Sequence, residues 1–279
     1  MGRIFRTLSV IAAIIIAVSC SKTDEITLIS YNIRNSGAND GINSWENRKD
    51  LTISMTNQEK PDLICMQEVL TDQLEFVYDE LPDYDYIGVG RDDSVRRGEI
   101  MAIFYRNDLY KLLDNGNFWL SETPHKVSRG WDGACRRMVT WGHFENLKSG
   151  KTFFCFNTHL DHKGAVARKE SIKLIIEKIN EITKDGENPI FLTGDFNATI
   201  DNPIFTPLIN YIHQARTDAP VSDNKNTYNN YGLGNESPSV IDHVFYLNAV
   251  PVSFATLDGS YGDGYISDHF PVKAVFRIE

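Results

Sequence analysis

The chain has 279 residues, and its 28 lysines and arginines against 38 aspartates and glutamates give a formal net charge of −10. A chain this acidic has no general electrostatic attraction to nucleic acid, so the composition argues against a nucleic-acid-binding module. A nuclease is not excluded, because a bound metal ion would supply local positive charge.

The N-terminus has the layout of an export signal. Two arginines precede an apolar run of eleven residues, Leu8 to Val18, which is too short to span a bilayer as a helix. Small residues then precede Cys20, as in a bacterial lipoprotein signal, and this resemblance implies that Cys20 is lipidated after cleavage. We therefore expect a signal peptide at 1–19, a tether at 20–25, and a membrane-anchored lipoprotein in the periplasm or on the cell surface. The alternative is an ordinary signal peptide that ends near a cysteine.

Three cysteines remain beyond the signal. Cys65 and Cys155 lie inside apolar strand-like runs, where buried free thiols are expected, and Cys135 lies in a polar loop. No pair has CxxC spacing, so the sequence indicates neither a disulfide framework nor a zinc knuckle.

The rest of the chain, 26–279, repeats one unit: a short apolar run that ends in a polar or ionisable residue. Such runs lead to Asn32, Glu68, the segment 157–159 and Asp195. Continuous apolar runs of this length are typical of strands buried on both faces. Because polar strand ends gather around a shared crevice in α/β proteins, we expect these side chains to lie close together.

Helices are predicted between some of these strands. Residues 164–183 carry isoleucines at helical spacing, 45–59 form a weaker helix, and 71–80 a short one. Between residues 84 and 144 the pattern predicts strands joined by turns. Since no linker or repeat divides the chain, we predict one domain. Parallel-looking βαβ units mixed with hairpins indicate an α/β fold of two packed mixed β-sheets with helices outside them.

Two strand ends carry the first candidate catalytic residues. Gly194, directly after a buried strand, lets the backbone turn closely and present Asp195 and Asn197 side by side. The alternative for this segment is an ordinary turn or helix cap. At the end of another strand, His159 is a candidate catalytic residue, whereas His162 is predicted to be a surface loop residue.

Two aspartate–histidine pairs follow late in the chain. A carboxylate that accepts a hydrogen bond from an imidazole fixes its tautomer and raises its pKa, which suits proton transfer near neutral pH. Adjacent residues on a strand point to opposite faces, so Asp268 is not expected to orient His269. Asp242, from a neighbouring strand, is the predicted partner of His269.

The candidate metal ligands are hard oxygen donors: Asn32, Glu68 and Asp268. A site with only one or two carboxylates favours Mg²⁺, which keeps several of its waters, and Mn²⁺ is the expected substitute.

Taken in order, six short motifs resemble those of the endonuclease/exonuclease/phosphatase superfamily, whose members are metal-dependent phosphoesterases. The motifs are Ser30-Tyr31-Asn32, Gln67-Glu68, Asn157-Thr158-His159-Leu160, Gly194-Asp195-Phe196-Asn197, Ile241-Asp242-His243 and Ser267-Asp268-His269-Phe270-Pro271. The superfamily includes pancreatic-type deoxyribonucleases, abasic-site endonucleases, neutral sphingomyelinases and inositol polyphosphate 5-phosphatases. The resemblance covers about residues 26 to 279 and implies a four-layer α/β sandwich.

The resemblance also implies a role for each motif residue. The metal would be bound by Glu68 with help from the two other oxygen donors named above. Asp195 and Asn197 would orient the attacking water and the phosphorus centre, and His159 would hydrogen-bond a phosphoryl oxygen. His269, oriented by its aspartate partner, would handle the proton. Whether the aspartate at 195 or the histidine at 269 is the general base stays open.

Further segments, at 43–48, 118–124 and 130–137, look like one bacterial branch of the superfamily. The last two are predicted to be loops on the substrate side of the site. In them an arginine would contact a phosphate, and a tryptophan would form part of the pocket wall. The candidate residues are Arg136, Arg137, Trp119 and Trp131. The alternative is a solvated arginine pair and ordinary core aromatics. Glu99, at the start of an apolar run, is a further candidate to approach the metal.

The sequence therefore predicts a Mg²⁺-dependent phosphoesterase that uses in-line attack of an activated water. Its expected substrate is a small phosphorylated metabolite or a phospholipid head group. The alternatives are a nuclease acting on extracellular nucleic acid, a catalytically silent binding protein of the same fold, and a zinc hydrolase using His159, Asp161 and His162. The lipid anchor is the expected membrane contact, and the domain is expected to be a monomer.

Overall fold

A computed structural model of the protein describes residues 24–184, 186–233 and 239–278. Two six-stranded β-sheets form its centre. The first sheet contains, in spatial order, β11 (Val250–Thr256), β12 (Val272–Ile278), β1 (Asp24–Asn32), β2 (Leu63–Val69), β4 (Ile100–Arg106) and β3 (Tyr84–Ile87). The second sheet contains β5 (Tyr110–Trp119), β6 (Met138–Asn146), β7 (Thr152–His159), β8 (Ile190–Asp195), β10 (Asp242–Leu247) and β9 (His213–Gln214).

Helices cover the outer faces of the sheets. They are α1 (Trp45–Glu59), α2 (Thr71–Glu80), α3 (Ala165–Thr183) and the one-turn helix α4 (Thr206–Ile209). A further one-turn helix, α5 (Ala215–Asp218), packs against β10 and β11, and its Ala215 belongs to the core between the sheets. The three longer helices lie within one residue of the predicted bounds. Within the described ranges, no helix combines the length and apolar character needed to cross a bilayer.

The predicted signal peptide, the lipidation site Cys20 and residues 21–23 of the predicted tether lie outside the described residues. Strand β1 begins at Asp24, so it includes the last two residues of that tether. The reason is the antiparallel pairing with β12, in which Asp24 faces Ile278 and Glu25 faces Arg277.

Three hydrophobic layers hold the fold together. The central layer lies between the sheets and contains side chains from both, including Leu28, Phe153 and Phe276. In this layer the Sγ atoms of Cys65 and Cys155 lie 3.5 Å apart. A second layer joins the first sheet to α1 and α2, and a third joins the other sheet to α3 and α4. The prediction of two packed mixed sheets flanked by helices is confirmed, and with it the four-layer α/β sandwich.

Each sheet contains one parallel pair of strands, and the remaining neighbours are antiparallel. Strands β1 and β2 are connected through α1, and β7 and β8 through α3. Parallel strands joined by a helix bring their carboxyl ends to the same edge of a sheet. The antiparallel strand β10 begins at that edge, because Asp242 pairs with Asp195 at the end of β8. The residues predicted to form the site therefore meet at one edge of the sandwich.

A buried polar network joins the two sheets below this edge. The side chain of Asn157 donates to the backbone oxygens of Met66 and Ala102, at 2.8 and 2.9 Å. Its own oxygen accepts a hydrogen bond of 2.8 Å from the side-chain amide of Gln67. Because an unpaired buried amide is costly, this network specifies how one sheet sits on the other. Asn157 belongs to one of the six motifs, but its side chain lies in this buried network and joins the two sheets.

His243 points away from Asp242 and lies in the helix-covered layer. Its Nε2 lies 2.9 Å from the backbone oxygen of Ala198, and its Nδ1 lies 3.1 Å from the side-chain nitrogen of Gln214. These contacts describe a neutral ring with the proton on Nε2. Burial, and to a smaller extent the positive charge of Arg216, lower the pKa of His243 to about 4, although the Ala198 carbonyl acts in the opposite direction.

Stability is therefore expected to fall between pH 7 and pH 4. In this range an unfolded chain, with an ordinary histidine pKa of about 6.5, binds a proton that the folded chain rejects. A pKa difference of about 2.5 corresponds to roughly 3 kcal/mol of unfolding free energy lost on acidification. Urea denaturation at several pH values should show a shallower pH dependence for His243→Gln. The exposed His213→Gln variant should keep the wild-type slope, and equal slopes for all three proteins would contradict the assignment.

Candidate active site

A cavity of about 720 Å³ lies at the edge where the polar strand ends meet. Its walls come from both sheets and from the loops that follow them. They are formed by Arg34, Asn35, Glu68, Glu99, Cys135, Arg137, His159, His162, Asp195, Asn197, Tyr228, Ser239, Ile241, Asp268 and His269. Six of the eight residues that the sequence motifs single out line this cavity, and the other two, Asn32 and Asp242, lie directly behind it.

Glu68 enters the cavity from an irregular point of β2. The register between β2 and β4 shifts between Met66 and Val69, and Glu68 has a left-handed φ of 62°. Asn197 and Arg34, which also line the cavity, have φ values of 49° and 58°. Non-glycine residues in this region carry backbone strain of the order of 1–3 kcal/mol, and such residues cluster at functional sites.

The carboxylate of Glu68 is held by three donors. The backbone and side-chain nitrogens of Asn35 donate to Oε2 at 3.1 and 2.8 Å, and the side chain of Asn32 donates to Oε1 at 3.2 Å. Burial raises the pKa of Glu68, but the charge of His159 and these hydrogen bonds outweigh it and lower the pKa to about 2. Glu68 is therefore an anion at neutral pH, as a metal ligand must be.

Asp268 supplies the second carboxylate of the predicted metal site. Its nearest cation is Arg34, whose Nη1 lies 3.5 Å from Oδ2. Burial raises the pKa of Asp268, and the negative charge of Glu68 adds to the rise, whereas His269 and Arg34 oppose it. A buried and a half-buried carboxylate that repel each other beside an open cavity fit a hard divalent cation, which would offset the repulsion.

Asn32 lies between Glu68, a predicted metal ligand, and Asp195, which is predicted to orient the attacking water. Its side-chain nitrogen donates to Glu68 and, at 3.0 Å, to Oδ2 of Asp195, while its oxygen accepts the backbone N–H of Arg34 at 3.0 Å. In this orientation Asn32 directs its nitrogen to the two carboxylates, while its oxygen, the atom predicted to bind the metal, accepts from Arg34. Its observed position is that of a bridge between the two carboxylates.

Asp195 and Asn197 are positioned by a close approach of two strands. A side chain at Gly194, whose φ is 153°, would place Cβ 2.1 Å from the backbone oxygen of Thr158, so only glycine fits there. Beyond it, the backbone N–H of Asn197 donates to Asp195 Oδ1 at 2.9 Å, and the Asn197 side chain donates to the backbone oxygen of Leu160 at 3.0 Å. The remaining oxygen, Oδ2, accepts from the side chain of Asn32, and Asp195 lines the cavity.

Each of the two predicted histidines has a carboxylate behind it. Nδ1 of His269 lies 2.9 Å from Oδ2 of Asp242, the pairing that the sequence predicts. Nδ1 of His159 lies 3.6 Å from Oε2 of Glu99. The Nε2 atoms of His159 and His269 lie 3.4 and 3.8 Å from Oδ2 of Asp195, so this carboxylate sits between the two rings. Burial lowers the pKa of His269, but Asp242 and Asp195 outweigh it and raise the pKa to about 10.

The position of Glu99 is the main feature that sequence reasoning missed. The sequence offered it as a group near the metal, but it lies behind His159 and forms ion pairs with Arg91 and Arg137. The available signal was its location just before a buried strand, since the start of β4, which is antiparallel to β2, lies at the edge where β2 ends. Nothing in the local sequence indicates that β4 places it against β7, because that contact crosses from one sheet to the other.

The two neighbouring arginines predicted to bind phosphate lie in different places. Arg137 is buried in the cavity wall, 3.4 Å from Glu99 and 3.3 Å from Nδ1 of His162. Arg136 lies outside this cavity, where it pairs with Asp92 at 3.2 Å. The cavity contains Arg137 and Arg34 as its two cationic walls.

Trp119 does not lie on the cavity wall where the sequence places it. It is buried with Met101 and Met138, and its Nε1 donates to the backbone oxygen of Arg91 at 2.8 Å. At the end of β5 its side chain points into the space between that strand and the loop 88–99. Trp119 therefore supports the loop and does not face the cavity.

Cys135, Asp161 and His162 form a cluster that resembles a metal site by distance alone. The carboxylate of Asp161 is already occupied, since it accepts backbone N–H groups from Cys135, Lys163 and Gly164 at 2.7–3.0 Å. Burial raises the pKa of Asp161, but these donors outweigh it and hold the pKa far below its usual range. Asp161 thus organises the loop, and this arrangement does not favour the zinc alternative. His162 is exposed, as predicted for a surface loop residue, and also lines the cavity.

Comparisons with known proteins agree with this geometry. The model of the Endonuclease/Exonuclease/phosphatase family matches residues 29–269. The chain is 31% identical over 259 residues to the uncharacterized protein L388 of Acanthamoeba polyphaga mimivirus, over 85% of this chain and 93% of that protein. A solved mannosyl-6-phosphatase of Bacteroides thetaiotaomicron has a TM-score of 0.86 and 35% identity, over 90% of this chain and 99% of that one.

Nocturnin of Drosophila melanogaster is a more distant relative. It is 27% identical over 209 residues, which cover 67% of this chain but only 31% of nocturnin. The chain therefore spans less than a third of that relative's length. The family match over most of the sequence and the likeness to the full-length viral relative support one conclusion: this chain belongs to the endonuclease/exonuclease/phosphatase family.

Proposed function

We propose that this protein is a divalent-metal-dependent phosphomonoesterase that acts on small phosphorylated sugars. Its family hydrolyses phosphate ester or phosphodiester bonds with divalent metals. The observation that carries the narrower proposal is the cavity of about 720 Å³, in which carboxylates, histidines and an amide face Arg34 and Arg137. That volume suits a small molecule, since pockets for such ligands measure about 300–1,000 Å³. The likeness to a mannosyl-6-phosphatase supports a sugar phosphate.

The side chains divide the reaction between them. Glu68 and Asp268 would hold the divalent metal, for which we propose Mg²⁺ with Mn²⁺ as a substitute. When bound, the metal supplies positive charge that neutralises the phosphoryl group. The carboxylate of Asp195 and the amide of Asn197 would orient the attacking water in line with the leaving group.

The positive groups around them would bind the phosphate. His159, with the negative charge of Glu99 3.6 Å behind its ring, would donate to a phosphoryl oxygen, and Arg34 and Arg137 would bind the remaining oxygens. His269, paired with Asp242, would exchange a proton with the water or the leaving group.

We also propose that the protein is exported and anchored to a membrane through a lipid on Cys20, and that it acts as a monomer. The support for the anchor is the sequence pattern of residues 1–20. A tether of this kind would hold the cavity near a membrane surface, so phospholipid head groups belong in the set of substrates to be tested. A nuclease has support from the likeness of part of this chain to a 3'-5'-exoribonuclease subunit, Ccr4 of Emericella nidulans, but the net charge of −10 counts against it.

The test is a substrate panel with purified protein in the presence of Mg²⁺ or of a chelator. The panel contains mannose 6-phosphate, glucose 6-phosphate, an inositol phosphate, p-nitrophenyl phosphate, bis-p-nitrophenyl phosphate, sphingomyelin vesicles, RNA and plasmid DNA. We expect Mg²⁺-dependent release of phosphate from the sugar phosphates and slow turnover of the diesters. Preferential cleavage of RNA or DNA, or activity restored by zinc but not by magnesium, would overturn the proposal.

A further inference from the structure

A second cavity of about 430 Å³ adjoins the catalytic cavity, and Cys135 lines both. Its other lining residues are Arg91, Asp92, Arg129, Ala134 and Arg136. Three guanidinium groups and one carboxylate give this cavity a formal charge of +2, although the whole chain carries −10. Positive charge is therefore concentrated in this cavity, beside the proposed phosphate site, although the protein is acidic overall.

The guanidinium groups of this cavity have unused capacity for an anion. Arg91 is paired with Glu99, but its buried Nε has no hydrogen-bond partner among the described residues. Arg136 pairs with Asp92 at 3.2 Å, and both side chains are about two-fifths exposed, so water screens this ion pair. Arg129 is exposed, and within the part of the chain that the structure describes it forms no ion pair.

Hydrogen bonds fix the backbone of the cavity walls without any ligand. On one side, the backbone N–H of Arg91 donates to the backbone oxygen of Glu99 at 3.0 Å, and Trp119 donates to the backbone oxygen of Arg91 at 2.8 Å. On the other side, the backbone N–H of Cys135 donates to Asp161 at 3.0 Å. Binding groups on an ordered frame lose less entropy when a ligand arrives, which strengthens binding.

From these observations we propose that the second cavity binds a second phosphoryl group of the same substrate. The inference rests on the proposed function, because the first phosphoryl group is the one hydrolysed in the catalytic cavity. Arg129 and Arg136 would bind the second group through charge-assisted hydrogen bonds, for which the planar guanidinium is well suited. The preferred substrates are then small sugars that carry two phosphate groups.

The experiment compares kcat/KM for glucose 1,6-bisphosphate and glucose 6-phosphate. We expect the wild type to prefer the bisphosphate by at least about tenfold, since one hydrogen bond to a charged group contributes at least that factor. Arg129→Gln and Arg136→Gln should each reduce this preference about tenfold, mainly through KM. The control is Arg277→Gln, a partly exposed arginine at the far end of β12, which should keep the wild-type preference.

The outcomes separate the two proposals. Turnover of glucose 6-phosphate without any preference for the bisphosphate, or a preference that survives both substitutions, overturns the subsite and leaves the proposed function standing. Failure to hydrolyse either sugar while RNA or DNA is cut overturns the proposed function, and the subsite with it. Equal melting temperatures of all four proteins establish that the substitutions act on binding and not on folding.

Discussion

Replacing Glu68 with glutamine is expected to lower kcat/KM by about 10³-fold or more, equivalent to about 4 kcal/mol of transition-state stabilisation. The substitution keeps the size of the side chain and leaves one oxygen to accept from Asn35, but it loses the acceptor for Asn32 and removes one of the two carboxylate charges that face the proposed metal. Steady-state hydrolysis of p-nitrophenyl phosphate at saturating Mg²⁺ measures the loss. Calorimetric titration with Mn²⁺ should show weaker metal binding in the same variant.

A matched control separates this effect from a general effect of charge. Glu181 lies on the exposed surface of α3, paired with Lys178, so Glu181→Gln should leave both activity and Mn²⁺ affinity at the wild-type level. If Glu68→Gln retained activity within tenfold of the wild type, its assignment as the principal metal ligand would be wrong.

Replacing Arg48 with methionine is expected to cost about 3–5 kcal/mol of unfolding free energy. Arg48 is fully buried, and its guanidinium donates to the backbone oxygens of four residues: Ile33, Arg34, Asn43 and Ile266. These oxygens belong to the end of β1, to the turn before α1, and to the segment before Asp268. Methionine fills a similar volume but leaves all four carbonyls without this donor.

Arg48 thus joins the segments that carry Arg34 and Asp268, so the variant should lose activity as well as stability. Chemical denaturation followed by tryptophan fluorescence measures the first effect, and the phosphatase assay measures the second. Arg48→Lys should be intermediate, because one ammonium group cannot reach all four carbonyls. Arg277→Met, at a partly exposed position, should cost less than about 0.5 kcal/mol; a similarly small cost for Arg48→Met would contradict the structural role.

The strand ends of the site could be predicted from the sequence because each is encoded locally. Continuous apolar runs followed by a polar residue produced the right strands and placed Asn32, Glu68, His159 and Asp195 at their ends. The stripe of isoleucines likewise predicted α3 to within one residue of its start. The structure places Nδ1 of His269 2.9 Å from Oδ2 of Asp242, the predicted partner, although residues 267–270 precede β12 and alternation between strand faces does not apply to them.

The substrate side depended on tertiary structure. Arg136 and Arg137 are adjacent in the chain, yet they enter different cavities, because one faces Glu99 across the sandwich and the other faces the loop that carries Asp92. Trp119 looked like a pocket wall in the sequence but is covered by that same loop. No local pattern contains these contacts, because they depend on which loop packs over which strand.

By itself the sequence determined the strand ends, the longer helices and the set of polar residues that meet at one sheet edge, because periodicity and strand-end chemistry operate within a few neighbouring residues. Periodicity did not fix the architecture, and the four-layer sandwich was expected from the resemblance of the six ordered motifs to the family. Only the tertiary structure decided which other side chains and cavities surround these polar residues. It put Glu99 behind His159, turned the amide nitrogen of Asn32 toward Glu68, and opened a second arginine-lined cavity. Each of these contacts joins residues at least 30 positions apart. The contact between Asn32 and Glu68 follows from the pairing of neighbouring strands in one sheet, and the other two follow from the packing of one sheet and its loops against the other.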